Sequence, residues 1–383
     1  PGFRAAQPFP APILTMAPPR VLTLPSEGAP DAATLDALLE VLRDGGLAAL
    51  PTETVYGLAA RADRPDALAA LTRLKERKDD APYTWHASGP EGLGPVALPR
   101  LVQRLTDRYW PGPLTLVVQG VPVGCESIAA DGWTGVRVPA FGGTRAALAH
   151  LPFPVVMTSV NRSGAPPACD AATVVERFGD QVALVLDGGT TSLQESSSVL
   201  AIGHGRFELL RLGLLDQTEL ARTAGLRIGF ACTGNTCRSP MAEHLARRAI
   251  AERLGTGPDG IETFGFHVRS AGVHAGTGAP MSEGSVAVLH ARGLDGSSHA
   301  SNPVTPNWAA DLDRIFALTA AHAHAIREAL PPARANRVEL LLPDGQDVPD
   351  PYGAPVPVYE ATARILESAI EDRLDEWIGP AAS

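Results

Sequence analysis

The sequence predicts a mixed α/β protein of two domains, and three observations predict it. From Leu35 onward, short strand-like apolar runs alternate with helical ones, the pattern of a sheet packed between helices. The chain has 383 residues, 45% hydrophobic and 19% charged, which is long for one core and comfortable for two. A polar, partly helical segment, Leu214–Gly225, separates one strand–helix series from a fresh strand–loop–helix unit.

Taken in order, residues 1–20 are rich in Pro and Ala and contain Met16. They lack the charged start and apolar core of a secretion signal, so a disordered leader is expected. Asp36–Arg43 reads as helix and Leu47–Leu50 as strand; Pro65–Lys75 is helical, with proline in the first turn. Leu114–Val118, Val136–Val138, Val155–Met157 and Val182–Leu186 read as further strands. The expected domains are 21–216 and 226–379, joined by a linker over 217–225. The two halves share no spacing pattern, so no internal repeat is expected.

The second domain opens on the most informative stretch of the chain. Cys232-Thr-Gly-Asn-Thr-Cys-Arg-Ser-Pro240 follows an apolar strand (Leu226, Ile228, Phe230) and precedes a helical run from Met241 to Leu254. Five residues separate Cys232 from Arg238. Gly234 is expected to let the backbone curl so that successive N–H groups cradle an anion. Pro240 suits a first helical turn, aiming the positive helix end at the same spot. Arg238 can grip two phosphate oxygens with its planar fork. Cys232, in that positive field, is placed to act as a thiolate nucleophile on phosphorus. A buried cysteine beside a turn explains the cysteine, but not the register of strand, Gly, Arg, Ser-Pro and helix.

The net charge of −10 argues against a broad basic face for nucleic acid. No apolar run approaches the ~20 residues of a membrane span, and no membrane partner is expected. The four cysteines, Cys125, Cys169, Cys232 and Cys237, show no zinc-type pairing and suit a reducing cytoplasm. No motif implies a protein-held metal.

From about Leu226 to Ile378 the chain resembles the low-molecular-weight protein phosphatases. Besides the anion loop, the resemblance rests on Val268-Arg-Ser-Ala-Gly272, Ala291-Arg-Gly-Leu294, Asp313-Arg-Ile-Phe-Ala-Leu-Thr319 and Asp347-Val-Pro-Asp-Pro-Tyr-Gly353. It implies a four-stranded parallel sheet flanked by helices, with no cofactor. The loop Thr233, Gly234, Asn235, Thr236, Cys237 and Ser239 would hold the phosphoryl group, Asn235 and Ser239 keeping its shape. Asp350, followed by Pro351 and an aromatic, matches the general acid; Asp347 is its rival. Cys237 is either a disulfide partner for Cys232 under oxidation or a small buried hydrophobe. Thr236 stands where tyrosine-directed members carry an aliphatic residue and members resembling protein-arginine phosphatases carry threonine. The resemblance therefore implies phosphorylated protein substrates, phosphoarginine first and phosphotyrosine second. Thioredoxin-coupled arsenate reduction would need cysteines after Cys237, and there are none.

The first domain carries Pro51-Thr-Glu-Thr-Val-Tyr-Gly-Leu58, Lys75-Glu-Arg77, Tyr109-Trp-Pro-Gly-Pro-Leu-Thr115, Gly135-Val-Arg-Val-Pro139, Thr158-Ser-Val-Asn-Arg-Ser-Gly164 and Asp187-Gly-Gly189. Singly these are turns and solvated charges. In this order they resemble the YrdC-like threonylcarbamoyl-adenylate synthases over residues 32–214. The resemblance implies synthesis of threonylcarbamoyl-AMP and pyrophosphate from L-threonine, bicarbonate and ATP, with Mg²⁺ on the phosphates. The product would serve tRNA modification, with tRNA-modification proteins as partners. Lys75, Arg77, Asn161 and Arg211 match ATP-contacting positions. Thr52, Thr54, His86, Arg137, Ser159 and Ser197 match positions around threonine, Arg137 facing its carboxylate. Catalysis would be by positioning and charge stabilisation. Departures from the pattern are Lys78, Ala81, Tyr83-Thr84-Trp85, Trp133 and Val160. They leave open a domain that senses nucleotide without turnover, beside a phosphatase as the sole enzyme. An RNA-binding role finds no aromatic platform in this acidic chain.

Overall fold

A computed structural model describes residues 18–76, 82–90, 100–119, 126–162, 164–203 and 205–379. Most of the expected leader, residues 1–17, lies outside the described residues; the first strand begins at Arg20. The chain divides into two compact units, one of residues up to 95, 110–199 and 211–214, the other of 96–109, 200–210 and 215 onward. We propose that the domains span residues 21–216 and 226–379.

In chain order the elements of the first series are β1 (Arg20–Thr23), α1 (Ala32–Arg43), β2 (Ala48–Leu50), β3 (Gly57–Arg61), α2 (Pro65–Lys75), β4 (Thr84–His86), α3 (Arg100–Tyr109), β5 (Leu114–Gln119), β6 (Trp133–Arg137), α4 (Gly142–His150), β7 (Val155–Ser159), α5 (Ala171–Phe178) and β8 (Leu184–Asp187). Of these, α3 belongs to the second unit. The strands lie in the order β1-β8-β2-β3-β7-β4-β6-β5. Pairing is mixed: β8 is parallel to β1 and β2, β4 is parallel to β6, and the β2–β3, β3–β7 and β5–β6 pairs are antiparallel.

Both faces of this sheet are covered. Successive strand residues point to opposite sides, so Ala49, Leu58, Val156 and Val185 join α2 and α5 through Leu68, Leu71, Val174 and Phe178. Ala48, Leu50, Val155, Met157, Leu184 and Leu186 face the other way, onto Leu38 and Leu42 of α1 and Leu148 of α4. Each fully buried leucine of this kind contributes roughly 1.5–3 kcal/mol. The register sets His86 beside Arg137 and Ser159 beside Gly57. Strand ends thereby gather residues that are far apart in sequence.

β9 (Ser198–Gly203) and β10 (Arg206–Arg211) follow. Residues 217–225, expected as a linker within a partly helical segment, are mostly a helix, α6 (Gln217–Ala224), started by the Asp216 carboxylate accepting from Glu219 N–H at 2.9 Å. Next come β11 (Arg227–Cys232), α7 (Arg238–Leu254), β12 (His267–Gly272), α8 (Glu283–His290), α9 (Pro306–Ala309), β13 (Arg314–Ala317), α10 (Ala320–Ala329), α11 (Pro332–Ala335), β14 (Val338–Leu340) and α12 (Val356–Trp377). Their sheet is the expected four-stranded one, ordered β12-β11-β13-β14 and parallel throughout. One face packs Ile315, Ala317 and Val338 on Ala323, Ile326 and Leu330. On the other, Phe230, Phe316 and Trp377 stack in sequence, with centroids 5.8 and 5.5 Å apart, beneath the packed pair α7 and α12. β11 is central, so the loop after Cys232 opens at the carboxyl edge of an interior strand, where open α/β sheets bind ligands.

Candidate active sites

In the second unit, β11 ends on Cys232 and α7 begins at Arg238. The Cys232 side chain is buried, with Ser239 Oγ at 3.0 Å and the Asn235 backbone N–H donating to Sγ at 3.3 Å. The left-handed residue of the loop is Asn235, at φ 55°, and not Gly234. Gly234 has no positive φ, and a Cβ there would meet nothing closer than 3.6 Å. The expectation that Gly234 shapes the curl is corrected accordingly. Asparagine tolerates this conformation, and every polar atom of its side chain is engaged. Nδ2 donates to Ser239 Oγ (3.0 Å) and Ser270 Oγ (2.8 Å), and Oδ1 accepts from Asn302 N–H (2.8 Å). The glycine that the loop does require is Gly272, on the neighbouring strand: a Cβ there would stand 2.4 Å from Thr233 O and 2.8 Å from Asn235 N.

Arg238 lies under the loop with its side chain 6% exposed, and its Nη2 donates to Asp350 Oδ2 at 2.7 Å. Nη1 donates to Val348 O at 3.2 Å, while Nε is buried without a partner among the described residues. Asp350 itself is 49% exposed. Asp347 is occupied elsewhere, its Oδ1 accepting from Ala320 N–H at the start of α10 at 2.7 Å. The Cys237 thiol donates to Ser282 Oγ at 3.2 Å, and Cys232 and Cys237 are both free thiols. Thr236 is half-buried and its carbonyl accepts from Ser282 N–H. A tetrahedral anion in this loop would meet a sulfur, a guanidinium and a helix N-terminus at once.

In the first unit, Thr52, His86, Arg137, Ser159, Ser197 and Arg211 line one cavity, together with Thr84 and Thr115. Thr54 adjoins it through Thr52 Oγ1 at 2.7 Å and by accepting from Arg137 Nη2 at 2.8 Å. Lys75 reaches Ser159 O at 2.8 Å and Asn161 Oδ1 at 2.7 Å. Arg211 donates to Ser197 O and Oγ, both at 2.9 Å. The remaining expected ATP contact, Arg77, lies outside the described residues, as do Lys78 and Ala81.

Burial, reinforced by the Arg137 cation, pushes His86 down to about 3. The ring is therefore neutral, and Nδ1, 3.1 Å from Thr84 O, carries its proton. That leaves Nε2 as an acceptor. Burial and then the like charge of Arg137 also lower Arg211. Sequence reasoning overlooked Glu53: its Oε1 receives Arg137 Nη2 at 2.6 Å and its Oε2 the Ala140 N–H at 2.8 Å. It sits inside the quoted Pro51-Thr-Glu-Thr stretch, so the signal was there without its partner. Among the described residues no cluster of three or more His, Cys, Asp or Glu could hold a metal, and no helix is long and apolar enough to cross a membrane.

Comparison with known proteins follows this division. The family model described as "Telomere recombination", of the YrdC-like group, matches residues 40–213. The one described as "Low molecular weight phosphotyrosine protein phosphatase" matches residues 227–378. The threonylcarbamoyl-AMP synthase of Pyrococcus abyssi is 32% identical over 220 residues, 55% of this chain and 63% of that protein. The chain thus spans under two thirds of that relative's length. A Mycobacterium tuberculosis protein named putative threonylcarbamoyl-AMP synthase is 32% identical over 191 residues, 48% of this chain and 86% of its own. The protein-arginine-phosphatase of Geobacillus stearothermophilus is 35% identical over 154 residues, 39% of this chain and 94% of its own. A low molecular weight protein-tyrosine-phosphatase of Streptomyces coelicolor is 36% identical over 155 residues, 37% of this chain and 88% of its own.

Proposed function

Because the chain belongs to the YrdC-like family in its first part and to the low-molecular-weight phosphatase family in its second, we propose that it is an enzyme of two activities, acting in the cytoplasm. The contact between Asp350 and Arg238, the residue that closes the Cys232 loop, carries the phosphatase half. Cys232 attacks phosphorus, Arg238 holds the equatorial oxygens, and Asp350 gives a proton to the leaving atom as its bond to phosphorus breaks. Asp350, now a carboxylate, then takes a proton from the water that hydrolyses the phosphocysteine. No cofactor enters either step.

Phosphoarginine is the preferred protein substrate. Thr236 presents a short polar side chain that suits a guanidinium better than a phenyl ring, and the Asp350 carboxylate can pair with that cation. Phosphotyrosine is the second reading, favoured by Tyr352, 75% exposed two residues from Asp350. Thr236→Ile should lower activity on phosphoarginine and raise it on aryl phosphate; no change in that ratio would remove Thr236 as the discriminating residue.

In the first part, threonine, bicarbonate and ATP combine to give threonylcarbamoyl-AMP and pyrophosphate, the product passing to tRNA-modification proteins. Lys75, Arg211, Asn161 and Arg77 would meet the ATP, and Thr52, Thr54, His86, Arg137, Ser159 and Ser197 the threonine. Support for turnover comes from where the unusual residues lie. Val160 is in the core, Trp85 packs against the core, and Trp133 is not among the cavity-lining residues; of the described departures only Thr84 faces the cavity. The cavity offers hydroxyls and cations and, among the described residues, no carboxylate cluster, so Mg²⁺ would ride on the phosphates. Pyrophosphate release by the Cys232→Ser protein tests this. Release that requires both threonine and bicarbonate supports the synthase; ATP binding without it makes this domain a nucleotide sensor.

A further inference from the structure

The residue after the nucleophile carries a hydroxyl whose partner comes from outside the loop. Thr233 Oγ1 lies 2.9 Å from His322 Nε2. His322 is the third residue of α10 and is anchored there, its backbone N–H donating to the capping Thr319 Oγ1 at 3.2 Å. Thr233 is exposed whereas His322 is 5% exposed. The second ring nitrogen, Nδ1, is buried and has no hydrogen-bond partner among the described residues.

These facts fix the direction of the bond. The charged and titratable groups around the ring are Arg238, Asp347, Asp350 and His274; burial first, and then the Arg238 cation, push His322 down to about 4. A neutral imidazole has one N–H. On Nδ1 it would be a buried donor with nothing to bond, which is rarer and costlier than an unused lone pair. The proton therefore sits on Nε2, and His322 donates to Thr233. A hydroxyl that accepts at one lone pair still has its own proton to give.

We propose that His322 is a positioning residue of the phosphatase site: by donating to Thr233 Oγ1, it commits that hydroxyl to act as a donor toward the phosphoryl oxygens held by loop 232–238. This rests on the phosphatase reading. Without the imidazole, the Thr233 hydroxyl is free to turn a lone pair toward the anion, which repels it. With the imidazole, the loop gains one directed, charge-assisted donor beyond its backbone N–H groups and Arg238.

The test uses the full chain, with inorganic phosphate as ligand and p-nitrophenyl phosphate as substrate. Thr233→Val and His322→Phe should each weaken phosphate binding and lower kcat/KM by about tenfold, the scale of one hydrogen bond to an ion. The double variant should be no worse than either single one, because both remove the same bond. His322→Gln, whose amide N–H reaches near the place of Nε2, should recover most of the loss. Additive losses of about a hundredfold in the double variant would overturn the proposal. So would a glutamine variant no better than phenylalanine, or a phenylalanine variant that loses thermal stability while binding phosphate as before. If His322→Phe does not fold, Thr233→Val decides alone, since unchanged phosphate affinity there overturns the proposal. Coupled losses in phosphate affinity in a protein that hydrolyses nothing would support the donor role and refute the phosphatase reading.

Discussion

Arg238 and Asp350 meet at 2.7 Å across the mouth of the Cys232 loop, one side chain 6% exposed and the other 49%. The buried member is the cation and the half-exposed member the carboxylate, so the carboxylate is the one that also meets solvent and a leaving group. A bound phosphoryl group competes with Asp350 for the same guanidinium. Asp350→Asn should therefore lower kcat by roughly 10²–10⁴, the range for a positioned acid, without weakening phosphate binding. Asp347→Ala should instead cost about 1 kcal/mol of stability through the lost acceptor for Ala320 N–H at the start of α10 and leave the rate nearly intact. Steady-state kinetics and urea unfolding separate the two; the reverse outcome would make Asp347 the acid.

Cys232→Ser should abolish phosphatase turnover. Cys237→Ser should keep it under reducing conditions, because the Cys237 thiol is turned to Ser282. Residual turnover in the Cys232 variant, with an unactivated phosphate ester, would remove Cys232 as nucleophile.

The pair Glu53 and Arg137 is buried on both sides, with side chains 10% and 6% exposed. Glu53→Ala leaves an uncompensated guanidinium and should cost about 3–5 kcal/mol of stability. Replacing both by apolar residues (Glu53→Leu with Arg137→Met) should recover much of it. A Glu53→Ala variant as stable as the parent in urea would show that the pair holds nothing together.

Acid should destabilise the first unit through His86. Folded, the group titrates at about 3, against 6.5 as the ordinary value. Between those values the unfolded chain binds a proton that the native protein refuses, so stability falls as pH drops from 6.5 toward 3 and is level above 6.5. The slope is at most about 1.4 kcal/mol per pH unit for one proton. His86→Gln should flatten the fall between pH 6.5 and 5, measured as urea midpoints. An unchanged slope would mean that the native ring takes up its proton.

What could be read from sequence was what the chain writes contiguously. Cys232, Arg238 and the strand and helix around them lie within a few residues of one another, and the structure keeps that arrangement. The helix over Pro65–Lys75 was equally legible, its proline and apolar spacing being local. Glu53 was not, because its meaning depends on Arg137, 84 residues away. Nor was His322, which meets Thr233 across 89 residues. The error at Gly234 has a different cause. Glycine is the ordinary residue for a left-handed turn, but here a fully bonded asparagine takes the position next to it and glycine's freedom is used instead on β12.

Gly272 gives the loop its form from outside. With two loop atoms standing where a side chain would begin, the neighbouring strand works as a mould for the anion cradle. A cradle shaped before the ion arrives takes it up at little entropic cost, and it gives the ion back just as reluctantly. Hydrolysed phosphate leaves in the same shape in which it was held, so the enzyme's own product becomes its standing competitor. Free phosphate would then act as a brake on every turnover.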